Sequence, residues 1–202
     1  MPLKKTSSIL VAFFIAAGSF WFSQSRAKNQ KEFNGSKKIE SNCITQAQVC
    51  FTPGQACTDL ITETLRKAKQ SIHIQAFSFT SRPIAQALIE KMREGIEVKI
   101  IFDSEILEKP SDAFENVKKS GISIQIDRQH QIAHNKVMIV DQETVITGSF
   151  NFTRAAQEKN AENVLVLRDL EMAQDYLKNW EIHSKHSEML RSGTATSATP
   201  TR

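Results

Sequence analysis

His134-Asn135-Lys136-Val137-Met138-Ile139-Val140-Asp141-Gln142-Glu143-Thr144-Val145-Ile146-Thr147-Gly148-Ser149-Phe150-Asn151 is the stretch that decides how this chain folds. Residues 137–140 and 144–146 are short runs rich in β-branched side chains on either side of Gln142-Glu143, which predicts two paired strands. In a strand, residues two apart point the same way. His134 and Lys136 therefore share a face if the strand begins at the histidine, while Val137 and Ile139 face the core. Asp141 lies an odd seven residues from His134 and should project to the opposite side. That parity makes it a residue that holds the turn before Glu143 through hydrogen bonds, and argues against a direct acid or base. Gly148 permits close backbone approach, and Ser149 and Asn151 again share a side. Thr153 is placed to cap the turn that follows. Glu162, at the start of the next strand, offers a carboxylate to one imidazole nitrogen, which would fix the tautomer and leave the other nitrogen to attack or protonate.

An imidazole, an ammonium, a hydroxyl and a carboxamide thus gather in one strand-rich unit. Those groups suffice to attack phosphorus and to hold its charged oxygens with Lys136, Ser149 and Asn151, without a metal. Each residue alone has a plainer reading as a solvated charge or a turn. With each residue type near 5% of usage, six fixed positions coincide by chance at roughly 10⁻⁸ per start, so the joint pattern points to a site. The remaining histidines keep the plainer reading: His73 in a predicted strand, His183 and His186 on a helix surface, and His130 in a loop four residues before His134.

Outward from this stretch, strand and helix signals alternate. Thr52-Pro53 reads as an N-cap with proline at the first helical position, and Leu60, Ile61, Leu65 and Ala68 extend that helix over 53–69. Residues 71–79 and 96–102 read as strands, with a helix between them capped by Ser81 and ended by Gly95. A short helix over 112–119 stops at Gly121, strands follow at 122–126 and 163–167, and a long amphipathic helix fills 170–190. Such alternation predicts an α/β sandwich with a largely buried sheet.

The spacing H-x-K-x4-D-x6-G-S-x-N resembles the HKD signature of the phospholipase D superfamily. Phe51-Thr52-Pro53, the run from Ile74 to Ser81 and the run from Gly95 to Asp103 match in kind and order, so the resemblance covers roughly residues 50–190. In size, single motif and apolar start, the chain is most similar to the small Nuc-type bacterial endonucleases, and the mitochondrial cardiolipin hydrolase branch also carries one motif. The resemblance implies a phospholipase D-like α/β sandwich with a mixed central sheet flanked by helices. Because the family uses two motifs per active site, it also implies a two-fold homodimer in which the two copies of His134 face each other. One would form a phosphohistidine while the other protonates the leaving oxygen. Lys136, Ser149 and Asn151 would stabilise the charge, Glu162 would orient the histidine, and neither metal nor other cofactor would be required.

The 202 residues are 24% charged and 40% hydrophobic, which suits one globular domain over 49–191. Lys4 and Lys5 precede an apolar run from Ile9 to Phe22 and small residues at Ser23, Ser25 and Ala27, the pattern of a signal peptide over 1–25. Export to the periplasm or outside follows, with an uncleaved membrane anchor as the alternative. Cleavage after Ser25 would reduce the net charge from +4 to 4 − 2 = +2, which permits a polyanionic substrate without demanding one. Residues 26–48 read as a polar linker or arm, and 192–202 as a disordered tail. Cys43, Cys50 and Cys57 predict one disulfide in an oxidising compartment, with the pair left open. A zinc finger is disfavoured, because no histidine lies nearby at finger spacing.

Three functions compete. A metal-independent phosphodiesterase cutting DNA or RNA agrees with the mild positive charge and the export signal. A phospholipase D acting on a phospholipid would use the same groups, but it should show an apolar rim beyond the signal segment. A non-enzymatic nucleic-acid binder is disfavoured by an intact His134 beside Lys136 and Asn151.

Overall fold

The computed structural model describes residues 46–190. The expected signal peptide, nearly all of the arm, Cys43 and the tail lie outside them. Eight strands form one mixed sheet: β1 (Gln46–Thr52), β2 (Ser71–Ala76), β3 (Glu97–Asp103), β4 (Ser123–Asp127), β5 (Lys136–Val140), β6 (Thr144–Gly148), β7 (Glu162–Arg168) and β8 (Glu188–Met189). Their spatial order is β1-β7-β6-β5-β2-β3-β4-β8. The β2-β3-β4 block is parallel and every other pairing is antiparallel. The expected α/β sandwich with a mixed, helix-flanked sheet is therefore present.

Both faces of the sheet are covered, which explains why the central strands read as apolar runs rather than alternations. On one side lie α1 (Cys57–Arg66), α2 (Arg82–Arg93) and α3 (Asp112–Ser120). Ile61 and Leu65 of α1, Ile84 and Leu88 of α2, and Phe114 and Val117 of α3 bury one-turn stripes against Ile72, Ile74, Ile100, Phe102 and Met138. Within this layer Phe102 packs edge-on against Phe79 and Phe114 at centroid separations of 5.5 and 5.4 Å, each contact contributing about 1 kcal/mol beyond burial. The opposite face carries the long helix α5 (Leu170–His186), whose Ala173 and Trp180 cover Ile101, Val137, Ile139 and Val145. The Trp180 indole N–H is satisfied by the Ile74 carbonyl at 2.9 Å. A five-residue helix, α4 (Arg154–Glu158), sits between β6 and β7, and the Thr153 hydroxyl accepts from the Ala156 N–H as its cap.

Several boundaries move. Residues 46–48, expected in the polar arm, begin β1, because the open edge of β7 pairs in antiparallel register with the whole segment from Gln46 to Thr52. Local composition carries no trace of that long-range pairing. Thr52-Pro53 does not start a helix: the peptide is cis, the Thr52 hydroxyl donates to the Ala156 and Asn160 carbonyls, and α1 begins at Cys57. A Cys50–Cys57 disulfide, with Cα atoms 5.5 Å apart, closes the connection. Ser81 occupies the N-cap of α2 without making a capping bond, whereas the Ser111 hydroxyl caps α3 by accepting from the Phe114 N–H. The last helix stops at His186, and Glu188–Met189 forms a two-residue strand beside β4.

Asp141 lies at the far end of β5 from His134. Its carboxylate accepts the N–H groups of Lys69, Gln70 and Ser71 at 2.8, 2.7 and 3.0 Å. It therefore pins the connection entering β2 rather than the turn before Glu143. Asp141→Ala should destabilise the fold by about 2 kcal/mol, since three backbone donors lose a charged acceptor but stay near water. A denaturant titration with unchanged midpoint would contradict that role.

Candidate active site at one end of the sheet

The registers bring five chain segments to one end of the sheet. Ala76 at the end of β2 pairs with Lys136 at the start of β5, and Gly148 at the end of β6 pairs with Val164 near the start of β7. Beyond Ala76 the Phe77 N–H donates to the Asn135 carbonyl at 3.1 Å, extending the pairing to the residue after His134. The loop that delivers His134 is held from beneath. Asp103, buried at the end of β3, accepts the Ala133 N–H at 2.6 Å while its other oxygen caps the next turn at the Glu105 N–H.

His134 is exposed, and its ring meets Phe77 with centroids 4.7 Å apart. Among the described residues its nitrogens have no hydrogen-bond partner. Lys136 is buried: its ammonium donates to the His134 carbonyl at 2.7 Å and stands 5.1 Å from the Phe77 ring centroid. Phe77 is thus the platform that the imidazole and the ammonium share. Burial pushes the Lys136 pKa down from the ordinary lysine value, and the Glu162 carboxylate pulls it partly back.

On the neighbouring strands the side chains alternate as expected. Phe150 and Phe152 are buried anchors, and Ser149 and Asn151 alternate with them. The Ser149 hydroxyl donates to Glu162 at 2.5 Å and accepts from the Asn163 backbone N–H at 3.1 Å. The other Glu162 oxygen takes the Asn160 amide at 3.0 Å. Glu162 therefore rests on Ser149 and Asn160 rather than on an imidazole, and the proton that Ser149 would offer a phosphate is engaged. The Asn151 Oδ1 is buried and unclaimed by any donor among the described residues. Gly148 permits this packing. Its φ is +149°, and a Cβ there would lie 2.2 Å from the Asn163 carbonyl oxygen.

The structure thus brings His134, Lys136, Gly148, Ser149, Asn151 and Glu162 to one end of the sheet and leaves Asp141 at the other. Among the described residues His134 is the histidine there with unengaged nitrogens, since His130, His183 and His186, at the same end of the sheet, are held by Asp127. Val49 and Phe51 on β1 and Ile132 two residues before His134 are exposed apolar side chains at 57, 54 and 52% accessibility. The sequence reading failed at His183 and His186. His183 is buried, and both rings turn inward onto Asp127 together with His130. Their spacing of three within one helix puts them on a common face, and that was the available signal.

Residues 61–183 match the family described as "Cardiolipin synthase, PLD-like domain". The chain is 38% identical over 188 residues to a protein named phospholipase D from Rickettsia bellii, covering 88% of this chain and 94% of that one. It is 40% identical over 156 residues to a phospholipase D from Rickettsia felis, covering 77 and 76% of the two chains. Among solved structures it resembles Nuc, a phospholipase D family member from Salmonella typhimurium, with a TM-score of 0.68 and 34% identity over 72% of this chain and 98% of that one.

Proposed function

Since this chain belongs to the phospholipase D superfamily and is a phosphodiester hydrolase, we propose that it cleaves nucleic acid through a phosphohistidine formed on His134 at a site shared by two subunits. The observation that carries the reading is an exposed imidazole with unengaged nitrogens beside a buried ammonium. One histidine is half of an acid–base pair. The exposed apolar side chains Phe51 and Ile132 support a second subunit as the source of the other.

In the first step the free ring nitrogen of His134 attacks phosphorus and a P–N bond replaces the P–O bond to the leaving group. His134 of the partner subunit gives its proton to the departing oxygen. That imidazole, now neutral, takes a proton from water, whose oxygen displaces the histidine and regenerates the site. Lys136 supplies positive charge to the non-bridging oxygens, and Asn151 adds hydrogen bonds. Ser149 joins them when a phosphate oxygen replaces Glu162 as acceptor of its proton. The same exchange frees Glu162 to orient an imidazole.

The Lys136 ammonium must remain protonated for this role. Its lowered pKa predicts that turnover declines on the alkaline side before the ordinary lysine value is reached. Glu162→Gln removes the charge that raises this pKa, so the alkaline limb should move to lower pH. A limb that stays in place, or moves upward, would contradict the pairing.

The cysteine pairing supports export, because a Cys50–Cys57 disulfide belongs to an oxidising compartment. Phospholipid hydrolysis is the second reading, favoured by relatives named phospholipase D and by the exposed apolar side chains Phe51 and Ile132, which also suit the apolar rim expected of a lipid site. Plasmid DNA, RNA and phospholipid vesicles, each incubated with the mature chain in excess EDTA, separate the two. The proposal expects nucleic-acid cleavage that persists in chelator and vanishes in His134→Asn. Turnover of vesicles alone would transfer the assignment to lipid while keeping the phosphodiesterase.

A further inference from the structure

Asp127 ends β4 with its side chain fully buried. One carboxylate oxygen, Oδ1, takes the backbone N–H groups of Gln129 and His130 at 3.0 and 3.3 Å. Three imidazole nitrogens crowd the other, Oδ2: His130 Nδ1 at 2.9 Å, His183 Nδ1 at 2.9 Å and His186 Nε2 at 3.2 Å. The three rings lie tilted against one another at centroid separations of 4.8 to 5.2 Å. As a hydrogen-bond cluster this is oversubscribed. An oxygen with two lone pairs faces three ring nitrogens, and each neutral ring would have to place its only proton on the inward nitrogen.

We propose that Asp127, His130, His183 and His186 form a four-coordinate site for a zinc ion. One carboxylate oxygen and three imidazole nitrogens are a donor set zinc favours, and the lone pairs that compete in the hydrogen-bonded cluster would all point at one cation. The four ligand atoms lie within 4.8 Å of one another. Tetrahedral zinc with bonds near 2.0–2.1 Å needs ligand atoms roughly 3.3–3.4 Å apart. The carboxylate oxygen must back away by a few tenths of an ångström, and the widest pair must close by at most about 1.4 Å, within reach of side-chain rotation.

The ion would act as a clamp. His130 belongs to the loop that continues through Ala133 to His134, and His183 and His186 belong to the last turns of α5. Zinc would tie that loop to the end of the helix and to β4, without touching the phosphodiester. The inference is independent of the phosphohistidine proposal.

Calorimetric titration of zinc into the tag-free, chelator-stripped full chain tests it, with cobalt as the spectroscopic substitute. The expected result is one equivalent per chain with a dissociation constant below about 1 μM, the intense visible bands of four-coordinate cobalt, and a melting midpoint raised by roughly 5–10 °C at a hundredfold excess over that constant. His183→Gln should weaken binding about a hundredfold, and so should His130→Ala, whose exposed loop position spares the core. His134→Asn should bind as the wild type does, which keeps this test apart from catalysis. Absence of saturable binding, or binding that both cluster variants leave unchanged, would overturn the site.

Discussion

His134→Asn is expected to lower kcat/KM for phosphodiester hydrolysis by roughly 10⁴–10⁶ while leaving the fold intact. The size follows from the proposed mechanism, in which a single substitution removes both the nucleophile and, on a second subunit, its acid–base partner. The intact fold follows from the ring's surroundings. It is exposed, touches Phe77 at 4.7 Å and shares no hydrogen bond with the described residues, so the melting midpoint should move by no more than about 2 °C. Subunit mixing extends the result. With random exchange of equal amounts of wild type and variant, about a quarter of the dimers keep both histidines, and activity should fall to about that fraction of an all-wild-type sample. If each subunit worked alone, half would remain, and the shared site would be lost from the account.

Gly148→Ala is expected to damage both stability and chemistry. The backbone at Gly148 sits at a φ of +149°, a region open to glycine and strained for other residues. The added methyl would meet the Asn163 carbonyl oxygen at 2.2 Å, and Asn163 is backbone of β7 rather than a movable side-chain tip. Strain and overlap together should cost about 2–4 kcal/mol. Relief requires β6 and β7 to part where they carry Ser149 and Glu162, and a displacement near 1 Å there costs on the order of a hundredfold in rate. Thermal melting and steady-state kinetics on the purified variant check both effects. An alanine variant that melts and turns over like the parent would show that the close approach has no consequence for the site.

These effects divide along the line between what the sequence shows and what it hides. The hairpin 136–148 was legible because β-branched runs flank a short polar turn, but the turn sits one residue earlier than Gln142-Glu143: Asp141 and Gln142 adopt the positive φ such a tight turn needs. Parity places Asp141 on the opposite face from His134, whereas the structure separates the two along β5, at its opposite ends. Its actual partners were not legible, since the N–H groups of residues 69–71 lie some seventy positions away and a carboxylate carries no label for them. The same reason hid β1: Gln46, Gln48 and their neighbours are polar because they lie on an edge, and composition reads an exposed edge strand as a linker. Thr52-Pro53 imitated a helix start so well because an N-cap threonine and a threonine that buries its hydroxyl against distant carbonyls look alike in sequence. In sequence, His183 and His186 read as solvated helix surface. The residue that turns that face inward, Asp127, is more than fifty positions upstream.

The central claim is that His134 itself becomes bonded to phosphorus. Rapid quenching of the chain during turnover of a nucleic-acid substrate, under alkaline conditions that preserve phosphoramidates, followed by peptide mass spectrometry, reads this directly. The account predicts a phosphoryl-linked adduct on His134, with at most one of the two copies in a dimer occupied and none formed by His134→Asn. Turnover at full rate with no adduct on His134, or with the adduct on another residue, would contradict it.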